Sequence, residues 1–447
     1  MSDALCLQDE TIFALSSAPG RAGVSVLRLS GASAGRALRI LTGRDLPKPR
    51  LAALRSIHGG DGEIIDKPLL LWFPAPKSFT GEDCAEIHVH GSAAILEVVA
   101  RRLTELGLRQ AKPGEFTRRA VEHGKMDLTE AEGLADLIDA RTEGQRLQAL
   151  SNMGGALRET YEGWQSLILD ALAQIEGEID FADEEDVPDA LSHAAYPFLT
   201  KVFEGMSAAL ARADRGRAVR EGLQVAIIGV PNAGKSTLLN ALVGRDVAIT
   251  SPQAGTTRDI IEAQAVIAGL PVTFSDTAGL RDSDDAIEAE GVRRARARAE
   301  DAHLVVHVLR GDAAAEGVNS DIIYVNTEGD VSGQSGVEIT GNALTGFGVD
   351  VLMAEIERQI LEKYAGLENA ALTRIRHVDC ISSAAENVDL ARRNLGVEPE
   401  LASEDLRKSL INIEELAGRS DMEQVFDRIF SSFCICLLYT SPSPRDS

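Results

Sequence analysis

Gly229-Val-Pro-Asn-Ala-Gly234-Lys235-Ser236 satisfies G-x-x-x-x-G-K-[ST] at every fixed position. Residues of these types at this spacing bind polyphosphate. The glycines let backbone N–H groups converge on the oxygens, Lys235 reaches the β and γ phosphates, and the Ser236 hydroxyl can ligate Mg2+. Downstream, Asp276-Thr277-Ala278-Gly279 ends a strand-like run, with a carboxylate suited to hold the metal through water and a Gly N–H suited to face the γ-phosphate. Between them lies Gly255-Thr256-Thr257-Arg258-Asp259, spaced as a switch loop in which Thr257 completes the metal shell. Either later segment alone reads as an ordinary turn; the three in this order read as a nucleoside triphosphate hydrolase. After Gly279, where Ras-like enzymes carry a water-orienting glutamine, stands Leu280, whose side chain makes no hydrogen bond. Another group has to orient the water.

Such loops need a rigid frame, and the flanking residues supply one. Leu223 to Ile228 is an apolar, β-branched run that predicts a buried strand, and Leu238, Leu239 and Leu242 predict a helix ended by Gly244. Val272 to Ser275, Leu304 to Leu309 and Ile322 to Val325 predict further strands, alternating with helical stretches as in a doubly wound sheet that ends near residue 362. Before it, Leu128, Ala131, Leu134, Ala135, Leu137 and Ile138, then Leu147 and Leu150, recur at helical steps. Trp164, Leu167, Ile168, Ala171 and Ile175 continue the pattern, and Phe203 to Arg212 forms a helix leading into the nucleotide strand. Helical periodicity returns from about 366 to 430 through Val388, Leu390, Leu395, Leu406, Leu410, Ile413 and Leu416. The nucleotide domain is therefore expected as an insertion in a helical one. Asp183 to Asp186 reads as a solvated connection, and Arg293, Arg294, Arg296 and Arg298 as a solvated helix surface.

Residues 1–118 predict a small α/β domain, with strands at Thr11 to Ala14, Val24 to Leu29, Leu69 to Phe73 and Ala85 to Val89. Arg28 and Glu86, the latter beside His88 and His90, read on spacing alone as a solvated strand edge. The whole chain, 447 residues, suits about three domains, and its balance of 45 basic to 69 acidic side chains repels nucleic acid and anionic membranes at long range. Any RNA substrate then needs a local basic patch or a basic partner. Five scattered cysteines without C-x-x-C fit a reducing cytoplasm, and no run is long and apolar enough to span a membrane.

In order along the chain, Ala18-Pro-Gly-Arg-Ala-Gly23, Ser78-Phe-Thr-Gly-Glu-Asp83, Pro113-Gly-Glu-Phe-Thr117, Gly124-Lys-Met-Asp-Leu128, the loop 229–237, Ala254-Gly-Thr-Thr-Arg-Asp259, Asp276 to Arg281 and Phe430-Ser-Ser-Phe-Cys-Ile435 resemble the MnmE (TrmE) family of tRNA modification GTPases. The resemblance implies a fold of class α/β plus α. It consists of an N-terminal folate-binding and dimerisation domain (1–118), a helical domain in two segments (119–215 and 366–436), and an inserted Ras-like P-loop G domain (216–365). Residues 437–447 read as a non-native tail. It also implies a cytoplasmic homodimer that joins the FAD-containing protein MnmG in a heterotetramer and meets tRNA through that complex. Its task would be to install an aminomethyl or carboxymethylaminomethyl group on carbon 5 of the wobble uridine.

By the same resemblance the cofactors are Mg2+, K+ and a 5,10-methylene- or 5-formyl-tetrahydrofolate, and GTP is the substrate. Residue by residue, GTP falls to Asn232, Ala233, Gly234, Lys235, Ser236, Thr237, Ser251, Thr256, Thr257, Asp276, Thr277, Ala278, Gly279, Asp330, Asn342 and Ala343. Mg2+ falls to Ser236 and Thr257, and K+ to Asn232, Ser251, Gln253 and Thr256. Glu288 takes the acid/base position beside Lys235, while Arg28, Glu86 and Lys125 line the folate pocket. Cys434 matches the terminal motif's cysteine and otherwise reads as a small buried residue.

Two stretches depart from the family pattern. Guanine-selecting N-K-x-D is replaced by Thr327-Glu328-Gly329-Asp330, which keeps the aspartate and loses the lysine, so weaker nucleotide affinity is expected; Asn326 substitutes only if the loop shifts by one. The terminal C-[ILV]-G-K becomes Cys434-Ile435-Cys436-Leu437, without the lysine that reaches the folate region. The competing class is a regulatory GTPase of ribosome assembly similar to Era or Der. Those carry a basic RNA-binding domain or a second P-loop, and neither is found in this sequence. A structural dimerisation scaffold with a vestigial nucleotide site is the third.

Overall fold

The computed structural model describes residues 10–180, 191–230, 233–243, 262–276, 302–309, 322–326, 339–340, 348–364, 372–419 and 429–430. The chain divides into two compact units, Met1–Ala135 with Ala417–Ser447, and Asp136–Leu416.

The first unit is built on a six-stranded sheet. In chain order its strands are β1 (Ile12–Leu15), β2 (Ala22–Ser30), β3 (Ala53–Leu54), β6 (Leu69–Phe73), β7 (Cys84–Gly91) and β8 (Arg109–Gln110), while β4 (Ile57–His58) and β5 (Ile64–Asp66) pair separately. The spatial order is β3-β6-β7-β2-β1-β8, antiparallel except for β1 with β8. Along β2 and β7 burial alternates. Leu27, Leu29, Ile87 and Val89 face a core shared with Leu38 and Leu41 of α1 (Ala34–Thr42) and Leu96 and Val99 of α2 (Ala93–Glu105), while Arg28, Glu86 and His88 on the other face are half-buried. A sheet packed by helices on one face and only partly covered on the other, by Phe116 and Phe79 over Ile12 and Ala14, produces this alternation. Two further helices, α3 (Glu115–Glu122) and the first part of α4 (Leu128–Asp139), complete the unit, and Phe430 packs on Leu128 and Ala131.

The second unit combines helices with a second six-stranded sheet. Periodic apolar residues build the helical layer: Leu157, Tyr161, Trp164, Ile168 and Ile175 of α6 (Ala156–Asp180) and Leu199, Val202 and Met206 of α7 (Tyr196–Glu221) are buried. So are Ile381 and Val388 of the helix Ile375–Asn394 and Leu406 and Ile413 of the helix Pro399–Ala417. The apolar pattern from Leu128 to Leu150 is not one helix. It breaks at Ala140–Thr142, where the Thr142 hydroxyl accepts from Gln145 N and caps α5 (Glu143–Met153). Ile138 and Leu147 on either side of that break are exposed, against the expectation from periodicity, and so is Leu390.

The sheet of this unit orders as β10-β11-β9-β12-β13-β14, from β9 (Leu223–Gly229), β10 (Glu262–Ile267), β11 (Leu270–Asp276), β12 (Leu304–Leu309), β13 (Ile322–Asn326) and β14 (Ile339–Thr340). All but β10 run parallel. The helix α8 (Lys235–Val243) and the helix Val349–Tyr364 cover it, and Leu238, Leu239, Leu242, Leu352 and Ile356 meet Val225, Ile227, Phe274 and Val306 in one core. The four predicted strands and the helix after the loop therefore fall where the pattern placed them, while the stretches 277–301 and 310–321 lie outside the described residues. The helix α5 grips this layer: Gly144 N donates to Gly269 O of the β10–β11 turn, and the Gln145 and Gln148 side-chain amides donate to Arg220 O and Gly216 O of α7. Asp136 accepts from both Arg220 and Arg374, tying the end of α7, which feeds β9, to the start of the later helical segment.

Candidate functional site

The phosphate-type loop leaves the sheet from its centre. β9 has β11 on one side and β12 on the other, both parallel to it, and the chain visits the first side before crossing to the second. That is the topological switch point, where ligands bind beyond the carboxyl ends of the strands in open α/β sheets. Gly229 closes β9 at φ +149°, and a Cβ there would lie 2.3 Å from Val308 O, so no side chain fits between the loop and β12. Gly234 turns the chain at φ +87° into α8. Lys235 is the first residue of that helix and only 5% exposed; its Nζ donates to Gly229 O and Val230 O, each at 2.9 Å. The loop is thus wrapped around its own ammonium group, which leaves a cation at the place where triphosphate oxygens would gather. Ala233 is buried under the loop, and Ser236 and Thr237 follow in the first turn of α8, the serine exposed.

The parallel strands bring the other sequence segments to the same edge. Asp276 is the last residue of β11 and pairs in register with Ile227, two residues before Gly229. Asn326 ends β13 as a buried polar residue, 3% exposed, and Thr340 ends β14 two residues before Asn342. Of the remaining expected nucleotide, metal and catalytic residues, Asn232, Ser251, Gln253, Thr256, Thr257, Thr277, Ala278, Gly279, Glu288, Asp330, Asn342, Ala343 and Cys434 lie outside the described residues.

In the first unit Arg28 and Glu86 come together, and not at an edge. They are direct cross-strand partners on the interior strands β2 and β7, which corrects the solvated-edge reading. Arg28 Nη2 lies 2.9 Å from Glu86 Oε1, whose other oxygen lies 3.2 Å from His88 Nε2. The guanidinium sits over Phe79 at 5.2 Å and Phe116 at 6.0 Å from the ring centroids, an arrangement in which the ring faces attract the cation. Phe79 also walls a cavity of about 510 Å³ lined by Arg50, Phe73, Pro76, Lys77, Ser78 and Lys125. Arg28 therefore meets one face of Phe79 and carries Glu86 as its partner, while Lys125 lines the cavity that Phe79 walls. Arg50, Lys77, Phe79 and Phe116 were not singled out from sequence, although Phe79 and Phe116 stand inside two of the quoted motifs.

Those motifs hold the site up. Thr80 is fully buried between Ser30 and Cys84, Ser30 donates to Glu82, and Arg119 bridges Glu82 and Glu115 at 3.0 Å each. Arg109 and the Lys112 N–H also bind Glu115. Burial pushes the Glu115 carboxyl up, yet the hydrogen bonds from Arg109 and Lys112 and the charges of Arg109 and Arg119 outweigh it, leaving its pKa below the ordinary 4.5. Since the folded value is the lower one, this stabilisation is complete above 4.5 and is lost as pH falls through the lowered value. Arg119→Ala leaves two buried carboxylates without their bridge and is expected to cost roughly 3–5 kcal/mol in chemical denaturation at neutral pH. The deficit should shrink below pH 4.5 as Glu115 protonates.

Each unit is suited to its own ligand: the second to a polyphosphate at its sheet edge, the first to a flat, anionic molecule beside Phe79. No helix of the described residues is long and apolar enough to cross a membrane. Comparison with known proteins gives two family matches, "MnmE helical domain" over residues 128–434 and "GTP-binding protein TrmE N-terminus" over residues 11–125. The chain is 49% identical over 436 residues to a Maricaulis maris protein named tRNA modification GTPase MnmE, covering 95% of this chain and 99% of that one. It is 46% identical over 440 residues to the protein of that name in Paramagnetospirillum magneticum, with the same coverage of 95% and 99%. A crystal structure of Aquifex aeolicus Era is 26% identical over 30% of this chain and 56% of that chain, with a TM-score of 0.23, an overlap of less than a third of the sequence.

Proposed function

The chain belongs to the MnmE family of tRNA modification GTPases and hydrolyses GTP; from that premise we propose that it does so in a potassium-dependent way and, with the FAD-containing protein MnmG, builds the aminomethyl or carboxymethylaminomethyl group on carbon 5 of the tRNA wobble uridine. The observation that carries the modification reading is the Arg28–Glu86 pair stacked on Phe79 beside a cavity lined by Lys125. A GTPase of the Era or Der kind has no use for such a site. It supports a tetrahydrofolate as the one-carbon source: Glu86 and Arg28 offer acceptor and donor groups to a pterin, and Lys125 offers charge to a carboxylate.

In the nucleotide site Lys235 would release its two loop carbonyls and take the β and γ phosphate oxygens, and the Ser236 and Thr257 oxygens would hold Mg2+. With Leu280 in place of a glutamine, Glu288 takes the role of positioning the water and moving its proton. Asn232, Ser251, Gln253 and Thr256 would hold a potassium ion, which would supply positive charge to offset the negative charge developing on the phosphates. Asp330, with Asn342 and Ala343, selects guanine, and Cys434 lies in the terminal motif. The working form is a cytoplasmic homodimer that reaches tRNA within a heterotetramer with MnmG.

Reconstitution tests the whole reading. The full chain with MnmG, GTP, potassium, a methylene-tetrahydrofolate and an unmodified tRNA should yield the modified nucleoside by mass spectrometry, and omission of the folate should abolish it. GTP turnover with no measurable tetrahydrofolate binding would favour the regulatory alternative instead.

A further inference from the structure

Three cations line the cavity beside Phe79, and none has a carboxylate partner among the described residues. Lys77 and Lys125 make no side-chain hydrogen bond there, and the Arg50 guanidinium donates only to the Lys77 carbonyl. They differ in this from Arg28, Arg109, Arg119, Arg220 and Arg374, each of which is held by a carboxylate. Arg50 is also held at φ +64°, a conformation that an L side chain rarely adopts, with its N–H fixed to Trp72 O at 2.8 Å. Strain retained at a cation facing a cavity points to a ligand contact. Glycine at that position would relieve the strain and lose the charge.

Resting on the tetrahydrofolate reading, we propose that Arg50 and Lys77 form an anion subsite that selects folates carrying several γ-linked glutamyl units over the monoglutamate. A pterin cofactor ends in an aminobenzoyl ring joined to glutamate, and each added γ-linked unit adds one carboxylate to a flexible tail. Phe79 and Phe73 give that ring apolar walls, and Lys125 takes the first carboxylates. Arg50 and Lys77, tied to each other through the Lys77 carbonyl, stand ready for the next ones. Neither is among the residues that the family resemblance assigns to folate.

The test is equilibrium binding of mono- and tri-γ-glutamyl 5-formyltetrahydrofolate to the full chain. Two extra exposed charge pairs predict a preference of about 2–30-fold for the triglutamate. That preference should shrink toward 1 M salt, where the screening length is about 3 Å. In Arg50→Gly/Lys77→Ala the ratio should fall to about 1. Glycine accepts the positive φ, so the melting temperature of Arg50→Gly should not fall; if the double variant does not fold, Lys77→Gln alone should lose part of the preference. Binding of the monoglutamate with no gain for the triglutamate, or an undiminished ratio in the variants, overturns this subsite and leaves the folate reading standing. Failure of the wild-type chain to bind either form overturns both.

Discussion

Lys235→Ala is expected to lower kcat for GTP by about 100–1000-fold, the usual effect of deleting one preorganised donor to transition-state charge. It should also weaken GTP binding by roughly 10–150-fold, since a charge-assisted hydrogen bond contributes about 1.5–3 kcal/mol. The same ammonium group donates to Gly229 O and Val230 O, so its removal also takes two braces from the start of the loop. The affinity loss should therefore contain a part that comes from disordering the loop. Lys235→Arg separates the two: the larger guanidinium keeps the charge but does not fit a 5%-exposed position enclosed by the loop, and should rescue neither constant fully. Fluorescent-nucleotide titration and single-turnover hydrolysis read the two effects apart. A variant that binds and hydrolyses GTP like the wild type would remove the loop from the mechanism.

Glu288→Ala is expected to leave nucleotide affinity within about twofold while kcat falls by roughly 100–10,000-fold, the range of a positioned general acid or base. Leu280 cannot hydrogen-bond a water, so another group has to orient the attacking water, and in the proposed mechanism Glu288 does so and accepts its proton. Glu288→Gln should be nearly as slow as Glu288→Ala, because the amide retains the size and the hydrogen bonds but takes no proton. If the amide variant were fully active, the residue would be orienting the water without accepting its proton.

Much of the nucleotide layer was legible because buried parallel strands write themselves as continuous apolar runs: Leu304–Leu309 is the strand that its composition predicts, and Leu223–Gly229 extends the predicted run by one residue. The first unit was harder for the same physical reason reversed. Its sheet is packed by α1 and α2 on one face and only partly covered on the other, so Arg28, Glu86 and His88 alternate with Leu27, Leu29, Ile87 and Val89, and a half-buried polar face resembles a solvated edge when only the sequence is in view. The break between α4 and α5 carries no glycine or proline; the sole local signal was Thr142 followed three residues later by Gln145, a capping pattern hidden by the apolar period running through it. The cavity was least legible. Arg50, Lys77 and Lys125 are far apart in the chain and converge only because the Arg50 segment hydrogen-bonds to Trp72 of β6 while Gly81 turns tightly against His123 and Lys125.

The Asn326 position also gained meaning from the fold. As the last, buried residue of β13 it stands at the carboxyl edge from which the base-selecting loop departs, so the altered Thr327-Glu328-Gly329-Asp330 stretch begins from a fixed point.

The most direct measurement is steady-state GTP turnover by the wild-type chain in potassium and in sodium at equal ionic strength. The proposed reliance on a monovalent cation, in a site with Leu280 where a glutamine would orient water, predicts hydrolysis on the order of tenfold or more faster in potassium. Equal rates in the two salts would contradict the account.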